Sequence, residues 1–380
     1  MPSRAKVAVL FTSSRSILDD YRRLLDLAEV ERFLLQDADI NLKINISWHN
    51  YYPACSTTPW QLDGTIRGLA AHGYEPRRMR AAQNSTVVVD TRVGEVRNRL
   101  KPVLEHHGVS SVYLNDDDAE WVRYEPKQPL LVLDRVYPKH GVRIPKALLG
   151  TNIIHLPTVK THVFTTMTGA MKNAFGGLLH FDRHWTHAVI HETLVDLLTI
   201  QQDIHPGIFA VMDGTIAGEG PGPRAMIPHE KNVILASGDS VAIDAISAKL
   251  QGFDPLCIDF IRLAHEKGLG VGDPKEIEIA GDDISGVNFH FTGGDTFASR
   301  GQKMIYHGWL KPLEHLLLRT PIVPWAYAAS RLYHDAYWYN TVGKRRIAAL
   351  KDSQWLSLFE AYKDGPPAEA AVGSGQEAAT

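Results

Sequence analysis

The chain has 380 residues, 44% of them hydrophobic, so it is long enough to bury a large core. Its formal net charge of −3 gives no electrostatic argument for nucleic-acid binding. Cys55 and Cys257 are its two cysteines, which excludes a disulfide framework and an iron–sulfur cluster ligated entirely by cysteines of this chain.

The first part of the chain alternates short apolar runs with amphipathic ones. The run at 6–11 is short for a signal-peptide core, and no run approaches the roughly 20 apolar residues that cross a bilayer. We therefore expect a soluble, cytoplasmic protein. The predicted strands here lie at 6–11, 40–47, 86–90, 109–114, 130–133 and 152–155. The predicted helices lie at 17–33, 60–73 and 95–107.

The alternation continues after the glycine-rich centre. Helices are predicted at 184–204 and 240–250, and strands at 208–213, 233–236 and 277–280. This pattern predicts an α/β fold with an open, mainly parallel sheet. We expect two α/β lobes, a helical tract rich in aromatic residues and a disordered tail. Their predicted ranges are 1–150, 151–300, 301–364 and 365–380.

The segment LPTVKTHVFTTMTGAMKNAFGG, at 156–177, places polar side chains in apolar surroundings. Its candidate site residues are Lys160, His162, Thr168, Lys172 and Asn173. Buried lysines need anionic partners, which a ligand or a protein carboxylate can supply. We predict that Lys160 and Lys172 bind an anion and stabilise negative charge, and that His162 transfers a proton. The alternative is a structural ion-pair network with helix capping.

Two further groups of residues are candidates for binding. Lys43 and Asn45 lie near the end of a predicted strand, and Thr58 precedes a predicted helix. A lysine and a hydroxyl beside the start of a helix are suited to bind an anion. The alternative is a surface lysine and a simple helix cap. Asp213, Glu219 and Gly220 lie in an acidic, glycine-rich stretch. The two carboxylates are candidate ligands of a divalent metal, and ordinary turn chemistry is the alternative.

Other charged and imidazole side chains have structural explanations of equal or greater weight. Asp244 lies among apolar residues and needs a buried partner, for which Lys160 or Lys172 is a candidate. Three histidines, His184, His187 and His191, share one face of the predicted helix and are candidate metal ligands. A solvated helix face explains the histidines equally well.

The tract at 303–346 mixes tryptophans and tyrosines with lysines and arginines. This composition suits contact with a membrane surface or a redox partner protein. The alternative is a helical layer that packs on the sheet.

Together these motifs resemble the DUF362 family, a domain of unknown function, over roughly residues 40–282. The residues that carry the resemblance are Lys43, Asn45, Thr58, Pro59, Pro157, Lys160, Thr161, His162, Thr168, Gly169, Lys172, Asn173, Gly176, Asp213, Gly214, Gly220, Pro221, Asp239, Ala242, Asp244 and the run 252–255. The resemblance implies an α/β core and a redox setting, because many members carry a ferredoxin-like cluster-binding extension. This chain lacks the cysteines of that extension.

We therefore expect a cytoplasmic DUF362-type enzyme that acts on a small anionic substrate, with oxidoreductase activity suggested by the resemblance alone. The cofactor is open, and a divalent metal is one candidate. The alternative function is a non-catalytic module that binds a metal, a nucleotide or a partner protein.

Overall fold

The computed structural model describes residues 5–86, 88–295, 300 and 331–367. Much of the predicted aromatic tract, 301–330, and most of the predicted tail, 368–380, lie outside the described residues.

The core of the fold is a mainly parallel sheet, which confirms the predicted α/β class. Its strands are β1 (Ala5–Phe11), β2 (Ile40–Ile44), β3 (Met79–Gln83), β4 (Ser110–Tyr113), β7 (Asn152–Leu156), β8 (Thr158–His162), β9 (Thr166–Met167), β10 (Ile208–Glu219), β11 (Ile227–Ser237) and β12 (Ile277–Gly281). The order is β12-β1-β11-β10-β7-β2-β3-β4, and β8 pairs with β10 and with β9. A small separate pair is formed by β5 (Trp121–Arg123) and β6 (Arg143–Pro145).

Helices cover both faces of this sheet. They are α1 (Ile17–Leu27), α2 (Pro59–Ala71), α3 (Thr91–Arg97), α4 (Leu100–His107), α5 (Leu133–Val136), α6 (Ala170–Leu178), α7 (Ile190–Ile204), α8 (Ser240–Gln251), α9 (Asp259–Glu266), α10 (Lys344–Ala349) and α11 (Gln354–Ala361). Short 3-10 helices lie at Val30–Arg32, Pro76–Arg78, Lys146–Leu148, Phe181–Val189, Pro255–Cys257, Pro274–Glu276 and Tyr362–Asp364, and a π-helix lies at Leu332–Gly343.

The two faces of the sheet bury separate apolar clusters. Along β1, Val7 and Val9 belong to one cluster, whereas Ala8 and Leu10 belong to the other, as the two-residue period of a strand requires. Helices α6 to α9 contribute to the first cluster, and α1, α2, α4 and α11 contribute to the second. The described end of the aromatic tract packs on the second face, where the Trp355 and Trp60 rings lie 5.5 Å apart.

Two predicted strands are wrong. In the run at 86–90, of which residue 87 lies outside the described residues, Thr86 and Val89 form only an isolated bridge with each other, and Asp90 caps α3 by accepting a hydrogen bond from the Val93 N–H. The run at 130–133 is held by Asp196 of α7, whose carboxylate accepts hydrogen bonds from three successive backbone N–H groups. A carboxylate that takes these donors leaves none for a strand ladder.

Strands from both sides of residue 150 lie in one sheet, since β7 pairs with both β2 and β10. The predicted boundary therefore does not separate two sheets, and independent folding of the two segments stays a prediction. The carboxyl ends of β2 and β7 are adjacent, with Ile44 opposite Leu156. Ligands of open α/β sheets bind outside such ends.

Candidate functional site

Three lysines from three elements form the centre of the candidate site, and we call them the lysine cluster: Lys43 of β2, Lys160 of β8 and Lys172 of α6. The charges of Lys160 and Arg183 both lower the pKa of Lys172, and Arg183 also lowers that of Lys43. Lys160 and Lys172 therefore lie close enough to interact electrostatically, and Arg183 interacts with both Lys172 and Lys43.

Lys160 is a buried cation with neutral partners. The residue is only 1% exposed. Its Nζ donates hydrogen bonds to the Ser47 Oγ at 3.1 Å and to the Cys55 carbonyl oxygen. Burial lowers the pKa of Lys160 to about 8. The same burial raises the pKa of the neighbouring Cys55 thiol.

Lys43 is held between β2 and α6. The residue is 4% exposed, and its Nζ donates to the Ile44 carbonyl oxygen at 2.6 Å. A Cβ at Gly177 would lie 2.9 Å from the Lys43 Cε, so this glycine leaves room for the lysine side chain. Asn173 of α6 donates from Nδ2 to the Lys43 carbonyl oxygen at 2.8 Å. Burial, then the Arg183 charge, lowers the pKa of Lys43 to about 7.

Lys172 differs from the other two lysines in its partners. The residue is partly exposed, and in the described part of the chain its Nζ has no hydrogen bond or ion pair. The Nζ lies 5.6 Å from the centroid of the Phe175 ring. Burial of the amine, followed by the charges of Lys160 and Arg183, lowers its pKa to about 7.

His162 has a defined hydrogen-bond pattern on one ring nitrogen. Its Nδ1 accepts from the Phe164 N–H at 3.1 Å and from the Thr165 N–H at 3.4 Å. Because a nitrogen that accepts from N–H groups carries no proton, the proton of the neutral ring is assigned to Nε2. Burial, then the Lys172 charge, holds the pKa of His162 well below its usual value. At neutral pH the ring is a hydrogen-bond donor through Nε2.

The expectation that a lysine pairs with Asp244 is wrong. The Asp244 carboxylate accepts from the Ala170 N–H at 2.6 Å and the Met171 N–H at 3.1 Å, which are unpaired donors at the start of α6. A Cβ at Gly169 would lie 2.1 Å from the Asp244 Oδ1, so glycine is required there. Thr168 donates to the Thr158 carbonyl oxygen at 3.2 Å. The Thr-Gly pair therefore positions the helix that carries Lys172.

Asp213 accepts hydrogen bonds from four residues of the protein. The donors are the Tyr21 hydroxyl at 2.8 Å, the Thr58 hydroxyl at 3.0 Å, the Trp60 indole N–H at 2.9 Å, and the Thr215 N–H at 3.0 Å and hydroxyl at 2.7 Å. Thr58 also accepts from the Gln61 N–H and so caps α2, as its predicted structural alternative requires. Asn45 accepts from the Ser47 hydroxyl at 2.9 Å, beside Lys160.

Glu219 lies six residues beyond Asp213 on β10, and among the described residues the two carboxylates have different hydrogen-bond partners. Its carboxylate is 2.8 Å from the His229 Nε2 and accepts from the Thr292 N–H at 3.0 Å. Gly220 follows at a φ of +95°, and its carbonyl oxygen accepts from the Thr161 hydroxyl at 2.7 Å. Within the described ranges no group of three or more His, Cys, Asp and Glu side chains is arranged to hold a metal. The metal-binding roles of Asp213 and Glu219 stay predictions.

The predicted single helical face of histidines is wrong. His184 and His187 lie in the 3-10 helix Phe181–Val189, whereas His191 lies in α7. The change of helix type breaks the spacing on which the prediction depended. The His187 Nδ1 is 3.1 Å from the His184 carbonyl oxygen, and the His191 Nδ1 accepts from the Phe260 N–H at 3.3 Å.

Two arginines that the sequence analysis did not identify extend the positive charge. The charge of Arg183 contributes to the lowered pKa values of Lys43 and Lys172. Arg224 and Lys160 both act on the pKa of Cys55, and the Arg224 Nη1 is buried without a hydrogen-bond partner among the described residues. A Gly-Pro-Gly-Pro run precedes Arg224 and was the one available signal, since such runs fix a loop that can present a side chain.

The comparisons with known proteins assign a family. The model of the "domain of unknown function (DUF362)" matches residues 40–249, which is more than half of the chain. The chain belongs to the DUF362 family. The predicted family is thereby confirmed, and the matched range contains every residue of the lysine cluster.

One curated relative is the thylakoid-associated protein sll1697 of Synechocystis, which is 29% identical over 136 residues. That alignment covers 34% of this chain and 41% of the relative, so the chain matches less than half of the relative's length. No solved structure matches the chain. Within the described residues, none of the helices has the length and apolar character needed to cross a membrane.

Proposed function

We propose that this DUF362 protein is an enzyme that binds a small anionic molecule at the lysine cluster. One observation carries the proposal: two buried lysines, Lys43 and Lys160, and the partly exposed Lys172 lie on three elements, and none of them forms an ion pair with a carboxylate of the described residues. Burying a cation without a counter-charge is unfavourable, and a bound anion would offset that cost.

The basic residues and His162 would have different roles in this site. Lys160, Lys172 and Arg183 would neutralise the anion and stabilise negative charge that develops during a reaction. His162 would donate a hydrogen bond from Nε2 to a substrate oxygen, which refines the predicted proton-transfer role. This assignment is supported by the two backbone N–H groups that occupy its Nδ1.

The other predicted substrate-binding residues would act by positioning. Thr58, Thr168 and Asn173 donate hydrogen bonds that fix α2, β8 and α6. Asn45 and Gly220 would hold the loops on either side of Lys160, since they contact Ser47 and Thr161. Oxidoreductase activity, a divalent metal and a cytoplasmic location stay predictions, and a binding module without turnover is the alternative function.

Isothermal titration calorimetry with inorganic phosphate and with pyruvate tests the proposal. We expect at least one anion to bind the wild-type protein with proton uptake at pH 8, because a bound anion raises the pKa values of the lysines. Titration in two buffers of different ionisation enthalpy measures that uptake.

The matched variants are Lys160→Met and Lys146→Met. Lys146 is an exposed lysine that pairs with Glu120 on the surface. We expect the first variant to lose binding and the second to keep it. Failure of both anions to bind, or equal binding by both variants, would contradict the proposal.

A second surface supports a partner proposal. We infer that the π-helix Leu332–Gly343 and α10 contact an anionic lipid bilayer. Leu332 and Tyr337 are 69% and 61% exposed, and Arg331, Lys344 and Arg345 are exposed on the same segment. Exposed apolar and aromatic side chains beside basic ones are typical of membrane-surface helices. The Synechocystis relative is named a thylakoid-associated protein, which fits this inference.

Co-sedimentation with lipid vesicles tests whether this surface binds a membrane and not a redox partner protein. We expect binding to phosphatidylglycerol vesicles, weak binding to phosphatidylcholine vesicles, and loss of binding in a Leu332→Glu, Tyr337→Glu double variant. An exposed residue elsewhere, Leu35, provides the control substitution Leu35→Glu. Equal sedimentation of all three proteins would remove the membrane inference.

A further inference from the structure

Lys172 is the lysine of the cluster that is suited to react as well as to bind. The amines of Lys43 and Lys160 are engaged by carbonyl oxygens and belong to residues at most 4% exposed. The Lys172 Nζ has no such acceptor among the described residues, and the residue is partly exposed. A substrate could therefore approach this nitrogen without displacing a hydrogen bond of the protein.

The surroundings of Lys172 favour a neutral amine. An aromatic ring, Phe175, is its near neighbour, and Phe175 in turn lies 5.5 Å from the ring of His187. Burial of the amine, followed by the charges of Lys160 and Arg183, lowers the pKa of Lys172 to about 7. A lysine desolvated beside other cations is a nucleophile at neutral pH, whereas an exposed lysine is protonated.

We propose that Lys172 forms an imine with the carbonyl group of a small α-keto acid. The proposal rests on the proposed anion site, because Lys160 and Arg183 would hold the carboxylate while the carbonyl carbon meets the Lys172 Nζ. His162, whose charge environment includes both lysines, would donate from Nε2 to the carbonyl oxygen.

The step balances without a further reactant. The neutral amine attacks the carbonyl carbon, a C–N bond forms, and the carbonyl oxygen becomes a hydroxyl group. Loss of that oxygen as water, with the two hydrogens of the amine, leaves the C=N bond. The carboxylate is unchanged and remains available to Lys160 and Arg183.

Reductive trapping with pyruvate and sodium cyanoborohydride tests the proposal on the full chain. Reduction of the imine fixes an adduct with the mass of pyruvic acid less one oxygen atom. We expect a single adduct by intact-mass spectrometry, located at Lys172 by peptide mapping. We expect it to be lost in Lys172→Arg, whose long guanidinium side chain cannot form the imine, and kept in Lys146→Arg.

Thermal melting of each variant shows whether it is folded, and Lys172→Gln replaces Lys172→Arg if the latter is not. Peptide mapping of the wild-type adduct locates the modified lysine without relying on any variant. Adducts distributed over surface lysines, or an unchanged yield in the Lys172 variants, would overturn the proposal.

Calorimetry with pyruvate and phosphate distinguishes the two levels of inference. Binding of pyruvate without an adduct would overturn the imine and leave the anion site standing. Failure of both anions to bind would overturn the anion site, and the imine with it.

Discussion

Asp213 and two members of the lysine cluster, Lys43 and Lys160, are buried, but the partners of Asp213 and of the cluster differ. Asp213 receives five hydrogen bonds from side chains and backbone that the fold itself supplies. The three lysines together have three hydrogen bonds, all to neutral oxygens of the described residues. Burial of a charge therefore does not mark a ligand site by itself. The lysine cluster differs from Asp213 because its amines have no carboxylate partner among the described residues, and the proposed anion site rests on that difference.

The strongest way to break this comparison is to remove the Asp213 carboxylate. We expect Asp213→Ala to lower the free energy of unfolding by about 4 kcal/mol, because buried donors lose their acceptor. Urea denaturation measures the change. Tyr21→Phe removes one donor and should cost about 1 kcal/mol. A loss in Asp213→Ala no larger than that of Tyr21→Phe would show that the carboxylate is not structural.

Gly169→Ala tests whether α6 is fixed by its contact with Asp244. The added Cβ would lie 2.1 Å from the Asp244 Oδ1, so the cap must move. We expect a loss of about 2 kcal/mol in the free energy of unfolding, since overpacking of this size displaces neighbouring atoms. The control is Gly286→Ala, where a Cβ meets no atom within 4 Å. Equal stability of the two variants would contradict the assigned contact.

The pH dependence of the free energy of unfolding tests whether Lys43 is desolvated in the folded protein. The pKa of Lys43 is about 7 in the folded protein and near 10.5 when exposed. The unfolded chain therefore binds more protons between these values, and stability rises with pH across this window. Lys43→Met should reduce the slope by about 1.4 kcal/mol per pH unit. Denaturation between pH 7.5 and 9.5 gives the slope, and identical slopes would mean that Lys43 is not desolvated.

The smallest expected effect on stability belongs to Lys160→Met. Replacing a buried cation by an apolar side chain of similar length should change the free energy of unfolding by less than about 1 kcal/mol. Anion binding should nevertheless be lost. The opposite pattern, a large loss of stability with anion binding intact, would mean that Lys160 stabilises the fold, as Asp213 does, and does not bind the anion.

The fold class and the burial of Lys160 in the candidate site were predictable from the sequence, for identifiable reasons. Apolar runs such as those of β1 and β10 predict strands, and charged residues in the apolar segment at 156–177 are conspicuous. By contrast, β3 reads MRAAQ and lacks β-branched residues, so its state is set by pairing with β2 and β4. Tertiary pairing overrides local propensity at such positions.

The partners of buried charges were the least predictable feature. Asp244 was expected to meet a lysine, and instead it meets the backbone at the start of α6, 73 and 74 residues away in the sequence. Backbone donors have no residue signature, so no pattern could identify them. Arg183 and Arg224 were missed because single basic residues outside the predicted helices and strands resemble any solvated arginine.

The attachment of α6 has a consequence for ligand affinity. Asp244 holds the first turn of the helix, and Asn173 ties the next residues to β2. The backbone under Lys172 is thus fixed before any ligand arrives, and only the side-chain torsions remain to be ordered. A side chain on a backbone that is already fixed loses little conformational entropy on binding, so more of the interaction energy is expressed as affinity and orientation.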